Sequence, residues 1–142
     1  MRKRTKAREF ALQILYQIDI TKDDMAACLA DFWKNREGEP ESAIKVFAEN
    51  LVTGIVGHKD EIDKAISEAA QNWQLERMAV VDRNILRLAT YELLCREDIP
   101  PKVSINEAID IAKKYGDQDS GKFVNGILDK ISKTRRPHAE KG

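Results

Sequence analysis

The segment from Met78 to Arg96 constrains the fold more than any other part of the chain. Val80, Val81, Ile85, Leu86, Leu88, Ala89, Tyr91, Leu93 and Leu94 spread around the helical wheel and leave no fully polar face. A helix that is apolar all round is stable in water only when other elements cover it. The pattern predicts a central buried helix, and the remainder of the chain must supply its cover.

That cover is helical as well. Ala7, Phe10, Ala11, Ile14, Leu15 and Ile18 form one stripe at helical spacing near the N-terminus. A second helix follows the Thr21, Asp23, Asp24 cluster and carries Met25, Leu29, Phe32 and Trp33. The run NREGEPES over 35–42 is the clearest loop. A third helix carries Ala43, Ile44, Phe47, Leu51, Ile55 and Val56, with a break at Gly57-His58. A fourth, from about Asp60 to Gln71, presents Ile62, Ala65, Ile66 and Ala69. After Pro100-Pro101, Ser104 and Glu107 have the spacing of a capping box, which places a helix start at Ser104. That helix buries Ile105, Ala108, Ile109 and Ala112, with Gly116 at its C-cap. Asp119 or Ser120 caps a last helix with the stripe Val124, Ile127, Leu128 and Ile131. The expectation is an all-α fold of about seven helices: one domain over 1–134, then a basic tail over 135–142.

Two cysteines without a CxxC spacing, Cys28 and Cys95, read as inert thiols of a reducing compartment. No signal-peptide pattern and no membrane-length apolar run is visible, so the expected location is cytoplasmic, with no membrane partner. Charge is more informative. The formal net charge is zero, yet Arg2, Lys3, Arg4, Lys6 and Arg8 crowd the first eight residues without an acid among them. Basic charge at a helix N-terminus opposes the helix dipole, so something other than stability placed it there. A local anion-binding surface is the functional reading and a solvated arm the bland one. Arg4 and Arg8 stand four residues apart and share a face, which favours that pair for phosphate contact.

The stretch YGDQDSGKFVNGILDK contains Gly116, four residues, then Gly121-Lys122. A phosphate-binding loop of that spacing needs a preceding strand and a hydroxyl after its lysine. Here a helix precedes and Phe123 occupies the hydroxyl position, so triphosphate chemistry has nothing to rest on. Phe123 falls at the edge of the last helix's buried face. Beside it lie Asp119, Lys122 and a helix N-terminus, whose amides suit phosphate. A part-exposed ring with a neighbouring lysine fits single-stranded nucleic acid. A rim residue of the core fits the ring equally well.

Arg83 and Arg87 are also four apart, on the apolar helix, where ion pairing with packing neighbours competes with a binding role. Glu92 reads as an acceptor of structural hydrogen bonds, Asn106 and Asn125 as capping or packing residues, and Trp73 and Tyr91 as core. His58 and His138 lack partners at metal-ligand spacing. No serine or cysteine has a recognisable base partner, so neither catalysis nor a metal is expected.

Taken together, several of these residues resemble the NusB family of transcription antitermination factors. The likeness opens with Arg4, Ala7-Arg8, Ala11 and Leu15-Tyr16. It continues through Asn72-Trp73, Asp82-Arg83, Leu86-Arg87 and Tyr91-Glu92-Leu93. It is strongest in IPPKVSINEAIDIAKKYG and DSGKFVNGILDK. The double proline at 100 and 101 and Lys6 depart from the usual pattern, and residues 20–60 carry little of it. The resemblance implies two small helical subdomains and binding of boxA RNA jointly with NusE, a small ribosomal subunit protein. It implies action on transcribing RNA polymerase, especially at ribosomal RNA operons, with no cofactor. It also allows a homodimer that hides the basic helix. On this reading Arg4, Lys6, Arg8, Asp119, Lys122 and Phe123 form the RNA surface. Tyr16, Asp82, Arg83 and Arg87 stand at or near the RNA or NusE surfaces. Two other readings are a helical protein–protein adaptor and an accessory domain like that of certain RNA cytosine methyltransferases. The end of the chain near residue 142 leaves no room for the latter's catalytic domain.

Overall fold

The structure, a computed structural model, describes residues 2–36, 38–71 and 73–135, the last without its side chain. Asn72, His138 and almost all of the expected tail lie outside the described residues. Seven α-helices and one 3₁₀ turn account for nearly everything described, with no strand among those residues. No helix among them is long and apolar enough to cross a membrane. The chain divides into two compact units, Met1–Gly57 and His58–Gly142.

The first unit holds α1 (Lys3–Thr21), α2 (Met25–Lys34) and α3 (Ser42–Gly57). Helix α1 starts without a side-chain cap and with no acid in its first turn, so its terminus does nothing to offset the basic residues there. It stops at Lys22, which adopts the left-handed conformation (φ 61°) and donates its N–H to Ile18 O at 2.9 Å. Helix α2 begins at Asp24, whose carboxylate accepts from the Ala26 and Ala27 amides at 2.8 and 3.3 Å. Phe10, Phe32 and Trp33 meet edge to face, with centroids 4.9–5.8 Å apart. The Trp33 indole N–H donates to Glu49 at 2.9 Å, which satisfies the polar end of a half-buried ring. In α1 the expected stripe is buried apart from half-buried Ile18, but so are Arg8, Glu9 and Leu12. The middle of that helix is therefore enclosed beyond its apolar face.

The second unit holds α4 (Lys59–Ala69), the 3₁₀ turn Leu75–Arg77, α5 (Val80–Cys95), α6 (Pro101–Tyr115) and α7 (Ser120–Arg135). Helices α4, α6 and α7 all pack on α5, which buries ten of its sixteen residues, as its apolar wheel requires. Two of its buried polar side chains, Arg87 and Glu92, find partners inside. Arg87 donates to both oxygens of Asp63 at 2.8 and 3.2 Å, and to Asn84 Oδ1 at 3.1 Å. Glu92, fully enclosed, accepts a hydrogen bond from the Ser104 hydroxyl at 2.7 Å, the structural role its surroundings suggested.

Four details correct the sequence reading. Helix α6 begins at Pro101, not Ser104: proline at N1 needs no donor and already has helical φ, and the Ser104 hydroxyl turns to Glu92 instead of capping. Helix α4 ends at Ala69, short of Gln71, which adopts φ 55°. Gly116 does cap α6, but with an extended backbone, so no left-handed turn demands glycine there. What demands it is space, because a Cβ would press on the Ser120 side chain and lie 2.9 Å from Ala112 O. Asn106 and Asn125 neither cap nor pack; both are exposed on their helices.

Candidate nucleic-acid interface

In the second unit the site grows from the turn between α6 and α7. Asp117 accepts the Asp119 N–H at 2.9 Å, the pattern of an Asx turn. The Asp117 N–H donates to Ser120 Oγ at 3.0 Å, and the Ser120 hydroxyl returns a bond to Asp117 Oδ1 at 3.3 Å. These bonds fix where α7 begins. Its first helical i to i−4 amide bond runs from Phe123 N–H to Asp119 O at 3.0 Å, so Asp119 occupies the N-cap position. Ahead of it, first-turn amides have no partners within their own helix and face the turn. Asp119 and Lys122 are exposed, while Phe123 is half-buried beside the enclosed stripe of Val124, Ile127, Leu128 and Ile131.

Trp73 completes this site and corrects a further expectation. It is not core: 47% of it is exposed, and its ring meets Phe123 edge-on, centroids 5.4 Å apart at 75°. It sits just after α4 in a polar linker, held by its N–H to Ala70 O at 3.1 Å. The two rings border an open cleft of about 180 Å³ that also meets Arg77, Met78, Ala79, Asp82, Asp117 and Asp119. Asp82 is only 8% exposed, and its Oδ1 has no hydrogen-bond partner. Three carboxylates against the single cation Arg77 leave the lining around the two rings net negative and rich in acceptors for N–H groups. The cleft therefore suits a flat ring with an amino edge, while Lys122 and the helix terminus provide the attraction for an anion.

In the first unit the basic residues of α1 are not a loose arm. The Arg4 and Arg8 guanidiniums lie 4.6 and 5.7 Å from the centroid of the Phe47 ring, so the pair does share one face. Arg4 is exposed; Arg8 is only 2% exposed. The Lys6 ammonium lies 4.9 Å from the centroid of Phe10. Two cations that sequence reasoning passed over join them: Arg36 lies 4.1 Å from the Phe10 centroid and Lys45 5.6 Å from that of Trp33. No periodic signal marks either residue, because Arg36 belongs to a loop and Lys45 to another helix.

Of the residues expected at or near the RNA or NusE surfaces, Tyr16 is 43% exposed on α1, one turn before exposed Ile20. Arg83 donates to the Leu75 and Glu76 carbonyls at 3.3 and 3.4 Å and so ties the 3₁₀ turn to α5. The guanidinium fork of Arg87 is occupied by Asp63. Of these four side chains, Tyr16 and Asp82 are the ones whose surroundings leave a contact surface. His58 packs near Tyr91, with ring centroids 6.0 Å apart.

Comparison with known proteins agrees with this arrangement. The sequence profile of the NusB family matches residues 5–133. The transcription antitermination protein NusB of Anaeromyxobacter dehalogenans is 51% identical over 140 residues, covering 99% of this chain and 96% of that protein. Among solved structures, NusB of T. maritima superposes with a TM-score of 0.87 at 40% identity, over 98% of this chain and 97% of that one. A chain from a crystal structure of the antitermination factors NusB and NusE in complex with dsRNA gives a TM-score of 0.81 at 32% identity, over 94% and 98%. A fold and a sequence shared over nearly the whole length leave one assignment: the chain belongs to the NusB family.

Proposed function

We propose that this protein is a transcription antitermination factor that binds boxA-type single-stranded RNA jointly with NusE and acts with transcribing RNA polymerase, chiefly on ribosomal RNA operons in the cytoplasm. The observation that carries the proposal is the Phe123–Trp73 ring pair at the start of α7, beside Lys122 and an unpartnered carboxylate oxygen. A base stacks on such a ring in any sequence context, and each stack contributes about 1–3 kcal/mol. The basic face of α1, with exposed Arg4 and half-buried Lys6, supplies salt-dependent attraction to phosphates, about 0.7 units of slope per contact on a single strand; Arg8, expected to share that contact, is enclosed against Phe47 and supports the face from beneath. Tyr16 and Asp82 are the proposed contacts for NusE or for RNA beside it, with Arg83 and Arg87 holding the surrounding surface in shape. No step in this role is chemical; the protein binds and positions.

The test is assembly. Protein, purified NusE and a short boxA RNA are passed together over a sizing column, with a scrambled RNA of equal length as control. Co-elution of all three, lost with the scrambled strand, supports the proposal. Failure of either RNA to enter any complex overturns it. Sedimentation with and without RNA separates a hidden homodimer from a standing monomer.

A further inference from the structure

We infer that the RNA-binding surface of the first unit extends beyond the basic start of α1, through Arg36 after α2 to Lys45 on α3, as one array of cations held on aromatic rings. The inference rests on the RNA-binding reading above. It concerns residues in the part of the chain where the sequence carried least indication of function.

Arg36 is the link. Its guanidinium lies 4.1 Å from the Phe10 centroid and 5.6 Å from that of Phe32. Phe10 is also the ring that carries Lys6 of α1. Arg36 and Lys6 therefore share one ring, and the α1 cations continue to residue 36 without a gap. Phe10 and Phe32 each meet Trp33 edge to face, and Trp33 carries Lys45 at 5.6 Å. Three connected rings thus position Lys6, Arg36 and Lys45, and Phe47, packed against the same small core of Ala7, Phe10 and Ala48, holds Arg4 and Arg8.

Two physical points argue for an anionic partner. Ring contacts fix a cation's head without neutralising it, as a carboxylate would. Among the described residues, Arg36 and Lys45 meet rings and no carboxylate. Glu41, four residues before Lys45, pairs with Lys3 at 2.6 Å, and Glu49, four residues after it, accepts from the Trp33 indole at 2.9 Å. Secondly, Lys6 and Arg36 on one ring, with Lys45 on the next, are like charges that repel one another, a cost that an anion reduces on binding. Guanidinium planes also serve as stacking surfaces for unpaired bases, which makes single-stranded RNA a better match than a free phosphate.

The test is the salt dependence of RNA binding. Affinity of the wild-type protein with NusE for a labelled boxA RNA is measured from 0.1 to 1 M salt, beside the double variant Arg36→Gln, Lys45→Gln. Losing two phosphate contacts lowers the slope of log Kd against log salt by about 1.4, which is a deficit of about 25-fold at 0.1 M that closes towards 1 M. The single variant Lys45→Gln gives half that change in slope. Thermal melting establishes that each variant is folded. Amine footprinting of the wild-type protein gives a readout that needs no variant: bound RNA shields Lys45 from acylation. An unchanged slope together with an unshielded Lys45, in a protein that does bind RNA, overturns the extension and leaves the proposed function standing. Absence of any RNA binding by the wild-type complex overturns both.

Discussion

Replacing Phe123 by alanine separates a binding ring from a packing ring. The side chain is half-buried, and Val124, Ile127, Leu128 and Ile131 form the enclosed stripe beside it. Folding stability depends on Phe123 through its edge contact with Trp73 at 5.4 Å and through partial burial. The ring pair contributes about 0.5–1.5 kcal/mol beyond area burial, so the variant melts a little lower and still cooperatively. RNA binding loses a stacked base, about 1–3 kcal/mol, which raises Kd by roughly 5- to 150-fold. Phe123→Tyr keeps the ring and stays near the wild-type affinity. The assay pairs fluorescence anisotropy of a labelled boxA RNA with circular-dichroism melting at the same salt. If the variant loses its cooperative transition while its folded fraction binds RNA as tightly as before, Phe123 is a core residue and the stacking argument fails.

Other substitutions test the structural readings. Arg87→Ala leaves Asp63 and Asn84 without the bonds at 2.8, 3.2 and 3.1 Å, and denaturant titration should show a loss of about 3–5 kcal/mol. A variant of undiminished stability but weakened RNA or NusE binding would give Arg87 a contact role instead. Ser104→Ala removes the 2.7 Å hydrogen bond donated to the enclosed Glu92 carboxylate, and the same titration should report a loss of about 1–3 kcal/mol; no loss would restore Ser104 as a dispensable capping residue. At Cys95, burial and then the Glu61 carboxylate push the thiol above its ordinary range. The folded protein therefore holds that proton more firmly than the unfolded chain, and this contribution to stability is lost as pH rises through the thiol's folded range. Iodoacetamide should modify native Cys95 more slowly than the unfolded thiol at every pH up to that range, and equal rates would contradict the assignment.

How much of this was written in the sequence depended on the kind of signal. The helix Val80–Cys95 was legible because nine apolar residues leave it no polar face, and burial follows from that alone. The break at Gly57 and a helix start after the Thr21, Asp23, Asp24 cluster were legible from local chemistry, though which of the three caps α2 was not. The start of α6 was not, because two rules compete there: Ser104 and Glu107 fit a capping box, while Pro101 fits N1. Tertiary contact decided between them, since Glu92 on α5 needed the Ser104 hydroxyl. Phe123 was placed correctly at the edge of a buried face by helical geometry. Its partner Trp73 was assigned to the core because a large aromatic in a sequence of unknown fold usually lies there; only the fold brings it beside Phe123. Arg36 and Lys45 were invisible for the same reason, since Phe10 under Arg36 and Trp33 under Lys45 are distant from them in sequence.

The central claim is that this protein and NusE form one RNA-binding unit, and linkage tests it most directly. Kd for a labelled boxA RNA is measured for this protein alone and with saturating NusE, each at two salt concentrations. The expected result is binding that tightens with NusE and weakens as salt rises, with RNA tightening the affinity for NusE by the same factor. RNA affinity that does not change when NusE is added, or that is absent in both cases, would contradict the account and leave a helical adaptor that binds proteins alone.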